Sequence, residues 1–196
     1  MKQPLTMKWD GPRARAAIIG GSEDGKTFLA TGLVRGHWRR DKLRAIVFDP
    51  WLWENDWGKS AWVTNDFGKF RRAVGATTDC VVVWDEGTHN GGRDRENVDL
   101  FTAIRHNHPY LYFIGHGYST MLPLMRGSLT DILLAARDDD DAAEWARVMV
   151  DKDVLRSALP ASNGGLKQYE FLHKRKHQPC RVLKHTKAEI LKGVTL

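Results

Sequence analysis

The chain has 196 residues, of which 42% are apolar, and its formal net charge is +6. This length suits one compact domain, and the apolar fraction is large enough for a buried core. No apolar stretch approaches the ~20 residues of a membrane helix, and the opening MKQPLTMKWDGPRAR lacks the apolar region of a secretory signal. We therefore expect an intracellular protein that is not secreted and has no transmembrane segment of its own.

The two cysteines, Cys80 and Cys180, lie far apart in the sequence and form no CxxC pair. This pattern suggests neither a disulfide framework nor a zinc site. The excess of positive charge favours an anionic partner only mildly, because many basic proteins bind no nucleic acid. The distribution of the charge is therefore more informative than its sum.

Short apolar runs alternate with helical or turn-rich segments, which indicates an α/β domain with a parallel sheet. The predicted core strands are 14–20, 45–49, 80–85, 110–115 and 131–136. The predicted helices are 27–35, 67–74, 97–107 and 141–150. Near the end of the chain, 165–172 and 180–185 alternate in polarity around HKRKHQP, which predicts a hairpin added to the sheet edge.

We predict a single domain over 1–196, with a core over about 14–137 and a C-terminal helix and hairpin over about 138–196. The acidic run 138–141 precedes the last predicted core helix. We expect its side chains to be solvated and to complement the helix dipole.

Residues 20–27 read GGSEDGKT and fit the phosphate-loop (Walker A) pattern GxxxxGK[ST] without a mismatch, between a predicted strand and a predicted helix. The loop amides and the helix N-terminus should surround phosphate groups. We expect Lys26 to reach the β- and γ-phosphates of ATP, Thr27 to ligate Mg²⁺, and Glu23 and Asp24 to point outward. The predicted nucleotide-binding residues are Gly20, Gly21, Ser22, Glu23, Asp24, Gly25, Lys26, Thr27 and Phe28.

The apolar run VVVW ends at an acidic pair, Asp85 and Glu86 (Walker B). We predict that Asp85 helps to hold Mg²⁺ through water and that Glu86 is the general base that polarises the attacking water. The pair thus favours hydrolysis over phosphate transfer to another acceptor. Asp49 ends the preceding strand, and its role stays open between a contact to ribose, metal or the acidic pair and a cap of the turn before Pro50.

The strand 110–115 runs into His116. This histidine is placed to sense the γ-phosphate if its strand neighbours the phosphate-loop strand; the alternative is a structural role. Arg105 and Arg126 are the candidates for an arginine that acts in trans at a neighbouring subunit's site.

These features, taken in order, resemble the FtsK–HerA superfamily of DNA-pumping ATPases. The shared features are the GGSEDGKT loop, a second strand ending in FDP, a third ending in DE, the Arg-bearing helix TAIRHNHP, a strand ending in a polar sensor, and the segment LMRGSLTD before the strand DILLAARD. Within that superfamily, the chain is most similar in its small, single-domain size to the genome-packaging ATPases of internal-membrane viruses with double-jelly-roll capsids. That family usually has Gln at the sensor position, where this chain has His116.

The resemblance implies a RecA-like P-loop NTPase fold of the ASCE type, with a mainly parallel central sheet flanked by helices and a C-terminal β-hairpin. It implies ATP and Mg²⁺ as cofactors, and a homo-oligomeric ring, a pentamer or hexamer, with ATP between subunits and double-stranded DNA in its centre. We therefore expect a motor that packages a viral genome into a preformed capsid, in the host cytoplasm or at the packaging vertex of the virion. Capsid-vertex or viral membrane proteins are further expected partners.

Two other functions remain open, a small P-loop kinase and an NTP-dependent phage assembly or secretion protein that does not translocate DNA. For DNA contact, the candidate segments are the basic stretch 35–44 with Arg39 and Arg40, expected to follow the first helix, the loop 87–99 with Arg93 and Arg95, and the hairpin tip 174–177. Each is alternatively a solvated surface. The insert 51–62 carries Trp51, Trp53, Trp57 and Trp62, for which we expect core or interface packing rather than stacking on bases.

Overall fold

The computed structural model describes residues 14–52, 56–87, 96–136, 138–152, 154, 166–167 and 169–193, except for the side chains of residues 96, 103 and 105. In this part of the chain the strands are β1 Ala14–Ile19, β2 Ala45–Phe48, β3 Ala61–Thr64, β4 Val81–Trp84, β5 Tyr110–Gly115, β6 Asp131–Leu134, β7 Glu170–Arg175 and β8 Arg181–Lys184. The helices are α1 Lys26–Asp41, α2 Phe67–Ala76, α3 Glu96–Asn107, α4 Pro123–Gly127, α5 Asp139–Met149 and α6 Lys187–Lys192, with a 3₁₀ turn at Tyr118–Thr120.

The strands form one sheet in the order β3-β2-β4-β5-β1-β6-β7-β8. β1 to β6 are parallel to one another, whereas β7 pairs antiparallel with β6 and β8 antiparallel with β7. Ile19 at the end of β1 is in register with Gly115 of β5 and Leu134 of β6, so these strands end at the same edge. The predicted α/β class with a mainly parallel sheet and a C-terminal hairpin is confirmed.

Helices cover both faces of the sheet, and side chains that alternate along β1 show which helices lie on which side. Ala16 and Ile18 pack in the layer that contains α1 and α6. Ala17 and Ile19 pack in the layer that contains α2, α3, α4 and α5. Because the central strands are buried on both faces, their sequences are continuous apolar runs rather than alternating ones.

The strand β3 is not predicted from the sequence, which indicates an insert after the second strand in this region. Four residues, AWVT, pair in parallel with β2 and form the edge of the sheet. Trp57 is buried, as expected for core packing, whereas Trp51 is 50% and Trp62 46% exposed. Trp53 lies outside the described residues. A four-residue edge strand has too short a pattern to distinguish it from a loop in sequence.

Helix α1 continues to Asp41, beyond the predicted end at residue 35. The basic stretch 35–44 therefore forms mainly the last turns of the helix, where Arg39 and Arg40 interact favourably with the negative end of the helix dipole. The helix ends at Lys42, which adopts a left-handed conformation with φ of 58°.

The C-terminal hairpin also differs from its prediction, because β7 continues to Arg175 through part of the predicted turn. Lys174, expected at the exposed tip, is buried and paired with Asp151. His173 is likewise buried, with Nε2 3.0 Å from Oδ1 of Asp131. Acidic partners outside the hairpin, Asp131 and Asp151, thus allow polar residues to occupy this part of the strand.

The acidic run before α5 is only partly solvated. Asp138 caps the helix by accepting a hydrogen bond from the backbone N–H of Asp141 at 2.7 Å. Asp141 is buried and accepts the backbone N–H of Tyr118 at 2.7 Å, which corrects the expectation of a solvated side chain. None of the described helices is both long and apolar enough to span a membrane.

Candidate active site

The phosphate loop lies between the end of β1 and the start of α1, which is the strand–loop–helix setting that its motif requires. Gly25 caps α1 with φ of 86°, a conformation that glycine adopts without steric cost. Its carbonyl accepts the N–H of Leu29 at 2.8 Å, so the helix begins directly after the loop. The free amides of this helix start are the groups that bind phosphate in such loops.

Lys26 is buried, and its Nζ donates a hydrogen bond to the carbonyl of Gly21 at 2.6 Å. Burial lowers the pKa of Lys26, whereas the charges of Glu86, Asp24 and Asp85 oppose that shift. The ammonium group is therefore held inside the loop and surrounded by carboxylates, at the position expected for a contact to the terminal phosphates.

Asp24 does not point outward as expected. Its carboxylate turns into the loop and accepts the backbone N–H of Gly21. Glu23 is exposed, as expected, with φ of 69°. Sequence alone could not reveal the inward turn, because the same short loop accommodates either orientation of the side chain.

Thr27 and Asp85 meet across the sheet edge, where the Thr27 hydroxyl donates to Oδ2 of Asp85 at 2.9 Å. Burial raises the pKa of Asp85 to about 7; the hydrogen bonds from Thr27 and the Glu86 N–H lower it, and the charges of Asp49 and Glu86 raise it further. A hydroxyl and a carboxylate are hard oxygen ligands that suit Mg²⁺, which keeps several waters of its own. The described residues contain no cluster of three or more His, Cys, Asp or Glu side chains that could hold a metal.

Glu86 follows Asp85 in a tight turn with φ of 49°. The next residue, Gly87, donates its N–H to the carbonyl of Ile114 at 3.0 Å, and a Cβ at this position would overlap the ring of Phe113. Nε2 of His116 lies 3.0 Å from both carboxylate oxygens of Glu86. The turn after β4 and the end of β5 thus bring the predicted base and the predicted sensor into direct contact.

Asp49 is buried at the end of β2 and caps the turn that follows. Oδ1 accepts the backbone N–H of Trp51 at 2.8 Å, and Oδ2 accepts the indole N–H of Trp57 at 2.7 Å. Of the alternatives left open by the sequence, the turn cap is the one that the contacts support. Its charge also contributes to the raised pKa of Asp85.

A cleft of about 610 Å³ opens over these groups. It is lined by Ser22, Glu23, Gly25, Lys26, Thr27, Phe28, Trp51, Asp85, Glu86, His116, Tyr169 and Lys187. Sequence reasoning missed Trp51, Tyr169 and Lys187 as site residues. No motif includes Tyr169 or Lys187, and only the fold brings the C-terminal hairpin and α6 to the phosphate loop.

Arg126 makes its described contacts within its own subunit. It is buried, donates to the carbonyl of Tyr118 at 3.0 Å, and its guanidinium carbon lies 3.5 Å from the centre of the Tyr118 ring. Its role at a neighbouring subunit's site stays a prediction. The side chain of Arg105 lies outside the described part, and its role in trans stays a prediction.

Of the predicted DNA contacts, Arg39 is exposed near the end of α1. Arg40 is half-buried, with Nε 2.7 Å from Oδ1 of Asp41, and is less suited to contact DNA. Because α1 has 16 residues and rises about 1.5 Å per residue, both lie roughly 20 Å from the phosphate loop. Arg93 and Arg95 lie outside the described residues.

No family model and no curated protein matches the chain. Solved structures do share its fold. One is the genome packaging NTPase B204 from Sulfolobus turreted icosahedral virus 2 in complex with AMPPCP, with a TM-score of 0.67 at 16% identity over 89% of this chain and 98% of that one. The same NTPase in complex with ATP-gammaS gives 0.67 at 15% identity over the same shares.

B204, the DNA-packaging ATPase from Sulfolobus Turreted Icosahedral Virus, has a TM-score of 0.65 at 16% identity over 88% of this chain and 98% of that one. At these identities the likeness establishes a shared fold. The motifs suggested a resemblance to genome-packaging ATPases. This resemblance is confirmed at the level of the fold, because the solved structures that share the fold are genome-packaging NTPases.

Proposed function

We propose that this chain is a Mg²⁺-dependent ATPase that translocates double-stranded DNA and packages a viral genome into a preformed capsid. One observation carries the proposal: the phosphate loop, the Thr27–Asp85 contact and the His116–Glu86 contact meet in one cleft of a fold shared with packaging NTPases. The first two features bind a nucleoside triphosphate, and the third supplies the hydrolytic chemistry.

The reaction follows from the positions of these groups. The loop amides and Lys26 hold the phosphates, and Thr27 and Asp85 would hold Mg²⁺, which neutralises phosphate charge when bound. Glu86 accepts a proton from the water that attacks the γ-phosphorus, while the bond between that phosphorus and the β–γ bridging oxygen breaks and ADP leaves. The acidic pair thus directs the γ-phosphate to water rather than to another acceptor.

His116 controls the state of this base in our proposal. Its Nε2 engages both carboxylate oxygens and so holds the carboxylate in one orientation, while each oxygen keeps a further lone pair for a water molecule. His116 follows β5, which pairs with the phosphate-loop strand β1, and its side chain lines the cleft. We therefore expect a bound γ-phosphate to lie near His116. His116 would thus orient Glu86 toward the attacking water and sense whether the γ-phosphate is present.

The wider assembly belongs to the same proposal. We expect a homo-oligomeric ring with Arg105 completing the site of the adjacent subunit, and with Arg39, Arg93 and Arg95 as contacts to DNA phosphates. Such contacts position DNA without reading its sequence, as a packaging motor requires. The motor would act in the host cytoplasm or at the packaging vertex of the virion.

The test is steady-state ATP hydrolysis with and without linear duplex DNA, at low salt and at a protein concentration that permits assembly. We expect stimulation by DNA that falls as salt rises, because phosphate contacts release counterions. Lys26→Ala is the inactive control. Hydrolysis indifferent to DNA contradicts the motor, and phosphate transfer to a small acceptor in preference to water supports the kinase instead.

A further inference from the structure

Tyr169 connects the C-terminal hairpin to the phosphate loop. It lies directly before β7, and its backbone N–H donates to the carbonyl of Asp24 at 3.4 Å. Its ring covers Gly25 so closely that a Cβ added there would overlap the ring. The ring centre lies 5.8 Å from that of Phe28, the residue that follows the loop motif.

The backbone of Tyr169 has φ of 65°, which is uncommon for an aromatic residue. The turn around it is held by Glu170, whose N–H donates to the carbonyl of Lys167 at 2.9 Å and whose Oε2 accepts the N–H of Lys167 at 3.1 Å. Glu170 also lies 3.5 Å from Nζ of Lys184 on β8. These contacts anchor Glu170, the residue that follows Tyr169, at the start of β7.

We infer that the base of a nucleoside triphosphate stacks on Tyr169, with Phe28 completing the wall. The inference rests on the proposed function, because it takes the cleft to hold a nucleotide. Lys26, Thr27, Glu86 and His116 line this cleft and supply the groups for the phosphates. The two half-buried aromatic rings line the same cleft, and a flat apolar surface is what a base requires.

Stacking on a ring recognises the face of a base rather than its hydrogen-bonding edge. Every base has such a face, and the larger purines offer the larger one. The substrate class is therefore purine nucleoside triphosphates, with ATP and GTP bound at affinities within about tenfold of each other.

The experiment is a binding titration with ATP, GTP and inorganic tripolyphosphate, which has the phosphate chain but no base. The main variant is Tyr169→Asn, because asparagine tolerates a positive φ and removes the ring. We expect this variant to bind ATP and GTP about tenfold or more weakly than the wild type does, and to change the affinity for tripolyphosphate less than about twofold. Tyr169→Phe keeps the ring and should bind ATP within about threefold of the wild type.

Trp62→Ala is the matched control, since it removes an exposed aromatic ring on the edge strand β3, outside the cleft. It should bind all three ligands as the wild type does. Unchanged ATP affinity in Tyr169→Asn overturns the inference, and so does an equal loss for ATP and tripolyphosphate, which assigns Tyr169 to the support of the loop. Tripolyphosphate binding that is unaffected by Lys26→Ala instead contradicts the proposed function.

Discussion

Nε2 of His116 lies 3.0 Å from each of the two carboxylate oxygens of Glu86, so one imidazole nitrogen engages the entire carboxylate. The contact joins the ends of two adjacent strands, β4 and β5, at the edge where the phosphate loop also lies. A base held in this way is oriented, and the second lone pair of each oxygen remains to accept a proton from water. The His116–Glu86 pair is therefore the element that our account ties most closely to control of hydrolysis.

We predict that His116→Ala lowers kcat about 10- to 100-fold while ATP affinity stays within about threefold, because the base loses its orientation. His116→Gln is the matched control, since its amide N–H₂ can still donate to Glu86 and should retain most of the activity. Steady-state kinetics together with nucleotide titration separate the two effects. Weaker ATP binding at unchanged kcat would assign His116 to the binding of nucleotide.

Glu86→Gln should bind ATP as tightly as the wild type but hydrolyse it at least about 100-fold more slowly, because the amide cannot accept the proton from water. Lys26→Ala is expected to lose binding itself. Binding by titration and turnover by phosphate release distinguish the two variants. Rapid hydrolysis by Glu86→Gln would remove Glu86 from the role of general base.

Asp24→Asn should raise ATP affinity by about three- to tenfold, because the Asp24 carboxylate, which turns into the loop, repels the phosphates. Asparagine retains an oxygen that can accept the N–H of Gly21, so the variant isolates the effect of charge. Glu23→Gln is the control, since Glu23 is exposed and its neutralisation should matter less. A lower affinity in Asp24→Asn would show that the carboxylate is needed to shape the loop.

The raised pKa of Asp85 predicts that the free energy of unfolding of the nucleotide-free protein depends on pH. Its pKa is raised to about 7 by burial, so between about pH 4 and pH 7 the folded state keeps a proton that the unfolded state has lost. The associated stability is present at low pH and is lost as pH rises through about 7. Asp85→Asn should therefore gain stability relative to the wild type as pH rises, by about 2 to 4 kcal/mol at pH 8.

Urea unfolding of both proteins near pH 5.5 and pH 8 provides the measurement, with the difference between them as the readout. His37 changes stability in the opposite direction over part of this range, because burial lowers its pKa to about 4. That contribution is common to both proteins and cancels in the difference. A difference independent of pH would show that Asp85 is ionised throughout.

The central strands and the phosphate loop could be predicted because their signals are local. β4 is a continuous run of apolar residues, and the loop carries its glycines, Lys26 and Thr27 at fixed spacing. The acidic pair follows from the same local reasoning, since it ends a buried strand.

The features that escaped prediction depend on contacts between distant parts of the chain. Tyr169 lies over Gly25 only because β7 pairs with β6. Arg126 is buried against Tyr118, a contact that no periodicity encodes. The burial of Lys174 likewise requires Asp151 from another element. These are side-chain pairings set by tertiary structure, to which local sequence patterns are insensitive.

The most direct test of the motor is displacement of a triplex-forming strand from linear duplex DNA by the assembled protein. We predict displacement that requires hydrolysable ATP, stops with a non-hydrolysable analogue and is abolished by Glu86→Gln, because movement is driven by turnover in the cleft. DNA-stimulated hydrolysis without displacement of the third strand would contradict the account and leave a DNA-activated ATPase that does not translocate.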